Sequence, residues 1–324
     1  KAIDTNGEVI HDPDHPGNWD AAEELKAQPS RNIWTVLPSA PYKGNWDNWK
    51  AGNSSEISAL FDVLQNRVLD YHNASSTCSN ATGVANGVSD DIDGLINFIR
   101  GQDYFDYNGD CDLTEKRDWE EASMLGDIYH SQIVEIGPPS ANFDFTDTNE
   151  ESFWRAQNNY QSFVRQHEGR PNVIYAGAND GMLHAFNAET GQEAWGFVPP
   201  FIAGKLPTII NVGLDGNVDG NKGGSNAIFG VDGSPVVHDM FIRGLAYDGT
   251  TWEDGKSWRT ILIIPYGRGG AGFSVLDVTN PLVKEDLGPL HMFSVYNDAV
   301  HNKVLIADQN GVITEYPYLP EYIN

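Results

Sequence analysis

Cysteine, basic side chains and long apolar runs are all scarce in this chain, and each scarcity closes off a class of function. Only Cys78 and Cys111 occur, and their separation is far from the C-x-x-C or C-x-x-C-H spacings that hold zinc or haem. Thiolate-metal chemistry is therefore not expected. Both cysteines sit in polar stretches, SSTCSN and NGDCDL, where a disulfide in an oxidising compartment and two separate thiols fit equally well. No apolar run reaches the roughly 18 residues of a membrane-spanning helix, and Lys1 is not followed by an apolar stretch with a small-residue cleavage site. The chain is thus expected to have no membrane span and no signal peptide of its own, and the Lys at position 1 suggests that something upstream was removed or not included.

Lys and Arg number 20 against 46 Asp and Glu, a formal net charge of -26. A field of that sign repels phosphate backbones and anionic lipid and favours cations, so nucleic-acid partners are discounted. Catalytic strings are missing as well: there is no G-x-S-x-G and no H-E-x-x-H.

What is present divides the 324 residues into two parts. Residues 1–150 read as a mixed region of helix and loop. NWDAAEELKAQ (18–28) is a short helix with Asp20 placed to cap it. SSEISALFDVLQNRVLDYH (54–72) is a longer amphipathic helix with Ile57, Leu60, Phe61, Leu64, Val68 and Leu69 on one side, and SDDIDGLINFIRG (89–101) is a third, capped by Ser89 or Asp90 and stopped by Gly101. FWRAQNNYQSFVRQH (153–167) reads as a helix linking this region to the rest.

Over residues 151–324 the pattern changes to short apolar runs punctuated by Gly, Asn and Asp. NVIYAGA, MLHAFNA, EAWGFVP, RTILIIPYG, GFSVLDV, KVLIADQ and VITEYPY are each of strand length. VIYAGANDGMLHAF from Val173 and VLIADQNGVITEY from Val304 repeat one plan of strand, Asn- and Gly-containing turn, and second strand, with a looser copy from Thr260. Repeated hairpins of this kind point to a mainly β fold, a partial or modified β-propeller with quinoprotein-like blades. Two or three blades do not close a ring, so extra strands in the less patterned segments, or further propeller segments from a longer chain or another subunit, are expected.

Within the first repeat, Asn179, Asp180 and Gly181 read as the hairpin turn, with Asp-Gly supplying the positive φ angles that a tight two-residue turn needs. His184, between two apolar positions, reads as an exposed or satisfied strand residue rather than a catalyst. GRGGAGF (267–273) lacks the Lys-Ser/Thr ending of a phosphate-binding loop and reads as a hairpin turn, while Asp277 is placed to bond backbone amides at a strand end. Two stretches approach the alternating hard-oxygen pattern of a calcium loop: Asp106, Asn108, Asp110 and Asp112, with Glu115 beyond, and Asp215, Asn217, Asp219 and Asn221, with Gly220 at the sixth position. A merely solvated acidic loop is the alternative for each.

The string YAGANDGMLHAFNAETGQEAWGFVP (175–199) resembles the signature of the type IV pilus tip-associated adhesins, the PilY or PilC proteins. LINFIRG (95–101), LGDIYHSQ (125–132), VDGSPVVHDM (231–240) and WRTILIIPYGRGGAGFSVLDVTNP (258–281) agree in order, so the resemblance covers most of residues 90–281. It implies a modified propeller outside the cell, exported through the periplasm to the pilus tip or bacterial surface. The implied role is non-enzymatic: adhesion, pilus biogenesis and twitching motility, with calcium modulation, minor pilins as partners and an unknown surface receptor. The family's long N-terminal region, its D-x-S-x-S metal motif and its later aspartate-rich calcium loop have no match here. The repeat is also similar to that of pyrroloquinoline-quinone dehydrogenases, which carry many regular copies with a docking Trp, and to propeller scaffolds of outer-membrane assembly machines.

Overall fold

A computed structural model describes residues 18–64, 91–103, 112, 114–117, 124–144, 149–211, 224–225 and 227–318. Helix α1 (Ala21–Ala27) begins where Asp20 accepts hydrogen bonds from the amides of Ala22 and Glu23, which satisfies donors that a helix start leaves open. Strand β1 (Ile33–Trp34) follows, then α2 (Ser54–Asp62), which buries Ile57, Leu60 and Phe61. Helix α3 (Asp91–Arg100) ends at Gly101, whose φ of +96° is a left-handed stop. Val68, Leu69, Ser89 and Asp90 lie outside the described residues.

Strand β2 (Val134–Ile136) precedes two helices, α4 (Glu150–Gln157) and α5 (Tyr160–Gln166). The single helix expected over 153–167 is broken at Asn158-Asn159, where Asn159 takes a φ of +55°. Asn tolerates this conformation, and it turns the chain so that Tyr160 and Phe163 are buried while Trp154 stays exposed.

Strands β3 (Val173–Gly177), β4 (Leu183–Asn187) and β5 (Glu193–Phe197) form the first repeat. With β1 parallel to β5 and β2 antiparallel to β3, they make a five-stranded sheet of order β1-β5-β4-β3-β2. After α6 (Pro200–Ala203) comes a two-stranded pair, β6 (Ile210–Asn211) and β7 (Gly224–Ser225). Then β8 (Val236–Leu245), β9 (Trp252–Pro265), β10 (Gly272–Asp277), β11 (Leu290–Asp298), β12 (Lys303–Ala307) and β13 (Ile313–Pro317) run as one antiparallel meander of six strands. The fold is mainly β, all seven strand-length runs are strands, and the three repeats are the hairpins β3-β4, β12-β13 and β9-β10.

The turn of the first repeat differs from a two-residue loop. The amide of Gly181 donates to the Ala178 carbonyl and that of Ala178 to Met182, with a positive φ at Gly181 alone. This is a three-residue loop closed by a left-handed glycine. The same bonds recur at 308–312, where Gly311 has a φ of +80°.

The two sheets meet through aromatic side chains, many of them from a strap at 31–49. Trp34 is fully buried with its ring 4.5 Å from Phe197 and 5.9 Å from Trp195. Two indoles cross to the other sheet's connections: Trp46 Nε1 donates to the Pro289 carbonyl at 2.7 Å and Trp195 Nε1 to that of Pro281 at 2.8 Å. Trp46 holds a left-handed φ of +45°, unfavourable for a bulky side chain and retained because its ring is wholly buried. A second apolar cluster packs α2, α3 and α6 against Ile33, Leu37 and Trp49.

Candidate functional site

The string GANDGMLHAF places its polar residues in a buried ionic network. His184, on β4, is fully buried; its Nδ1 donates to Glu193 Oε1 at 2.7 Å and its Nε2 to Asp180 Oδ2 at 3.0 Å. Arg31, from the strap, grips Glu193 with two bonds, Nε to Oε2 at 2.7 Å and Nη2 to Oε1 at 2.8 Å. Asp180 also accepts the amides of Gly126 at 2.9 Å and Met182 at 3.0 Å. Two cations face two anions, so the charges balance without solvent.

Burial opposes charge on His184, but Asp180 and Glu193 outweigh it and push its pKa up to about 9. Burial likewise opposes charge on Glu193, yet Arg31 and His184 hold it down to about 2, and Asp180 is lowered by His184 despite its own burial. The imidazolium is locked between carboxylates and no face of it reaches solvent. Such a group ties loops together rather than passing protons to a substrate. Of the two readings its position left open, an exposed or a satisfied strand residue, His184 is the satisfied one. Arg31 has no local sequence signal, because its partner lies 162 positions away.

Around this network the separated strings converge. The amide of Asn179 donates to the Asp127 carbonyl, Val231 N to the Ala178 carbonyl and Asp232 N to the Tyr266 carbonyl. GRGGAGF is a turn between β9 and β10, and glycine is required there by contact: a Cβ on Gly269 would lie 1.7 Å from the Gly230 carbonyl oxygen. Asp277 caps the strand end as expected, accepting the Thr279 amide at 2.9 Å, and also pairs with Arg259 at 3.3 Å. On the other flank Thr260 Oγ1 accepts from Arg170 and donates to Asp239, each at 2.6 Å, and Asp239 also takes the Tyr160 hydroxyl.

Of the calcium candidates, Asp106, Asn108, Asp110, Asp215, Asn217, Asp219 and Asn221 lie outside the described residues, as do Cys78 and Cys111. Asp112 is exposed and accepts from Thr114 N at 2.9 Å and Thr114 Oγ1 at 2.6 Å; these bonds hold its carboxyl below the usual range. An ionised, exposed carboxylate is chemically suited to a hard cation. Among the described residues no group of three or more His, Cys, Asp or Glu is placed to hold a metal, and no helix is long and apolar enough to cross a membrane.

A family model described as the PilY1 beta-propeller domain matches residues 125–299, more than half of the chain. The chain belongs to the PilY1 family. The matched interval runs from the Gly126 contact with Asp180 to the end of β11, so it holds His184, Glu193 and the glycine-rich turn, while Arg31 and the β12-β13 hairpin lie outside it. The type IV pilus biogenesis factor PilY1 of Pseudomonas aeruginosa (strain UCBPP-PA14) is 33% identical over 186 residues, 57% of this chain and 13% of that protein. A PilY1 homolog of Xylella fastidiosa (strain Temecula1) is 30% identical over 230 residues, 69% of this chain and 16% of that protein. The chain therefore corresponds to a small part of these PilY1 relatives. The crystal structure of the Pseudomonas aeruginosa PilY1 C-terminal domain aligns with a TM-score of 0.31 and 23% identity, over 56% of this chain and 36% of that one.

Proposed function

We propose that this chain is a non-enzymatic propeller segment of a type IV pilus biogenesis factor, exported through the periplasm to the pilus tip or cell surface. The observation that supports it most is the family match over 125–299, whose marked polar residues His184, Asp180 and Glu193 are consumed in a buried, charge-balanced network. In this reading the rigid sheets present loops to minor pilins on one side and to a surface receptor on the other, which supports adhesion and twitching. Calcium, held by Asp106, Asn108, Asp110 and Asp112 or by Asp215, Asn217, Asp219 and Asn221, offsets carboxylate repulsion in those loops and orders them.

Deleting the gene in the source bacterium is expected to abolish surface pili and twitching, both restored by the wild-type copy; unchanged piliation would overturn the reading. The calcium part is tested separately by calorimetric titration of the purified chain. Saturable binding, lost in Asp110→Ala or Asp219→Ala, is expected, and no heat in the wild type removes calcium from the account.

A further inference from the structure

On the outer side of the point where the strings converge lies an aromatic and cationic surface that the buried network does not use. Tyr129 is 72% exposed and its ring meets that of His130 at 4.4 Å, edge to face. The His130 ring lies 6.2 Å from Phe229, and the Arg268 guanidinium sits over Phe229 at 5.3 Å from the ring centre. His130 Nδ1 contacts both oxygens of the buried Asp232 at 2.9 Å, and the Gln132 amide donates to Ser234 Oγ at 3.1 Å, so the 129–133 and 229–236 segments are stitched side by side. Ile133 and Val236, next along these segments, are also exposed.

This surface is preformed. Gly230 donates to the Asn179 side chain, Asp232 to the Tyr266 carbonyl, and Gly267 and Gly269 press against the 230–233 backbone with no room for a Cβ. A rigid platform loses little entropy on binding, and aromatic residues with Arg are the side chains that most often dominate interface energetics. Among the described residues Asp232 is the only carboxylate bonded into the cluster and is buried against His130, and the exposed Arg268 has no carboxylate within ion-pair distance. A guanidinium fork stacked on a ring matches a carboxylate in two parallel bonds. An extended anionic surface such as a membrane is disfavoured, since a single guanidinium in this cluster, the one found among the described residues, does not offset a net charge of -26.

We infer that the surface formed by Tyr129, His130, Phe229 and Arg268 docks a protein segment presenting a single carboxylate beside aromatic or aliphatic side chains. This goes beyond the pilus reading and stands whether or not the partner is a pilin. The test is selection of a displayed short-peptide library on the wild-type chain. Selected peptides are expected to carry Asp or Glu next to an apolar residue and to bind Arg268→Glu and Tyr129→Ala about tenfold or more weakly. Replacing the peptide's acid by Arg is expected to recover binding to Arg268→Glu, and unchanged melting of both variants checks that they fold. Selection of no peptide, selection of peptides without an acid, or equal binding to Arg268→Glu would overturn the inference. So would binding of phosphatidylglycerol vesicles through Arg268 in place of any peptide.

Discussion

In the five-stranded sheet His184 stands between the carboxylates of Asp180 and Glu193, with Arg31 closing the circuit. In the six-stranded sheet the Nε2 of His291, equally buried, meets the Ser294 hydroxyl at 2.8 Å, and a chain of hydroxyls continues through Ser274 to Tyr266 at 2.7 and 2.8 Å. Burial acts on both imidazoles in the same direction, yet one is pushed up to about 9 and the other down to about 3. Partners, not depth, decide which histidine carries charge. One buried histidine is therefore part of an ionic cross-link to a distant strap, while the other sits in a chain of neutral hydroxyl bonds within its own meander.

The largest effect expected from breaking this contrast comes from Glu193→Gln. Removing one anion leaves Arg31 and His184 facing a single carboxylate in a dry site, where breaking a buried pair costs about 3–5 kcal/mol. Urea unfolding of the variant should show that loss with little change in slope. A cost below about 1 kcal/mol would mean that the network is not the cross-link described.

Dependence on pH separates the two sheets next. His184 has a raised pKa in the fold, so its contribution is fully present below its ordinary 6.5 and is lost as pH rises through about 9. His291 has a lowered one, so the unfolded chain binds more protons between about 3 and 6.5, and stability falls as pH drops through that window. Among these two groups the optimum lies near 6.5. His184→Gln should flatten the alkaline limb, His291→Leu the acid limb; denaturant midpoints at several pH values, or imidazole titration followed by NMR, would read this. If His184 titrated below 6.5, the charged description of its sheet would be lost.

The sheets also differ in how far their sequences announce them. Strands β3, β4, β5, β9, β10, β12 and β13 are runs of β-branched and aromatic residues bounded by turn formers, and they were legible for that reason. Strand β11 was not, because LHMFSVYND turns His291 and Ser294 inward and so hides its alternation. Strands β1 and β2 have two and three residues, too short for any period, and pair across long separations. The ionic network was half legible: His184 and Asp180 stand in one string, but only the fold brings Arg31 to Glu193.

The smallest effect sharpens the neutral side of the comparison. Ser294 accepts or donates toward both His291 and Ser274, so Ser294→Ala removes two bonds among uncharged groups, for which about 1 kcal/mol apiece is ordinary and no charge is stranded. Tyr266→Phe removes one bond and should cost about half as much, and the double variant less than the sum, because Ser274 links the two in one chain. A cycle in unfolding free energies measures that coupling. Strict additivity would mean that the hydroxyls act as separate pairs rather than as one connected chain.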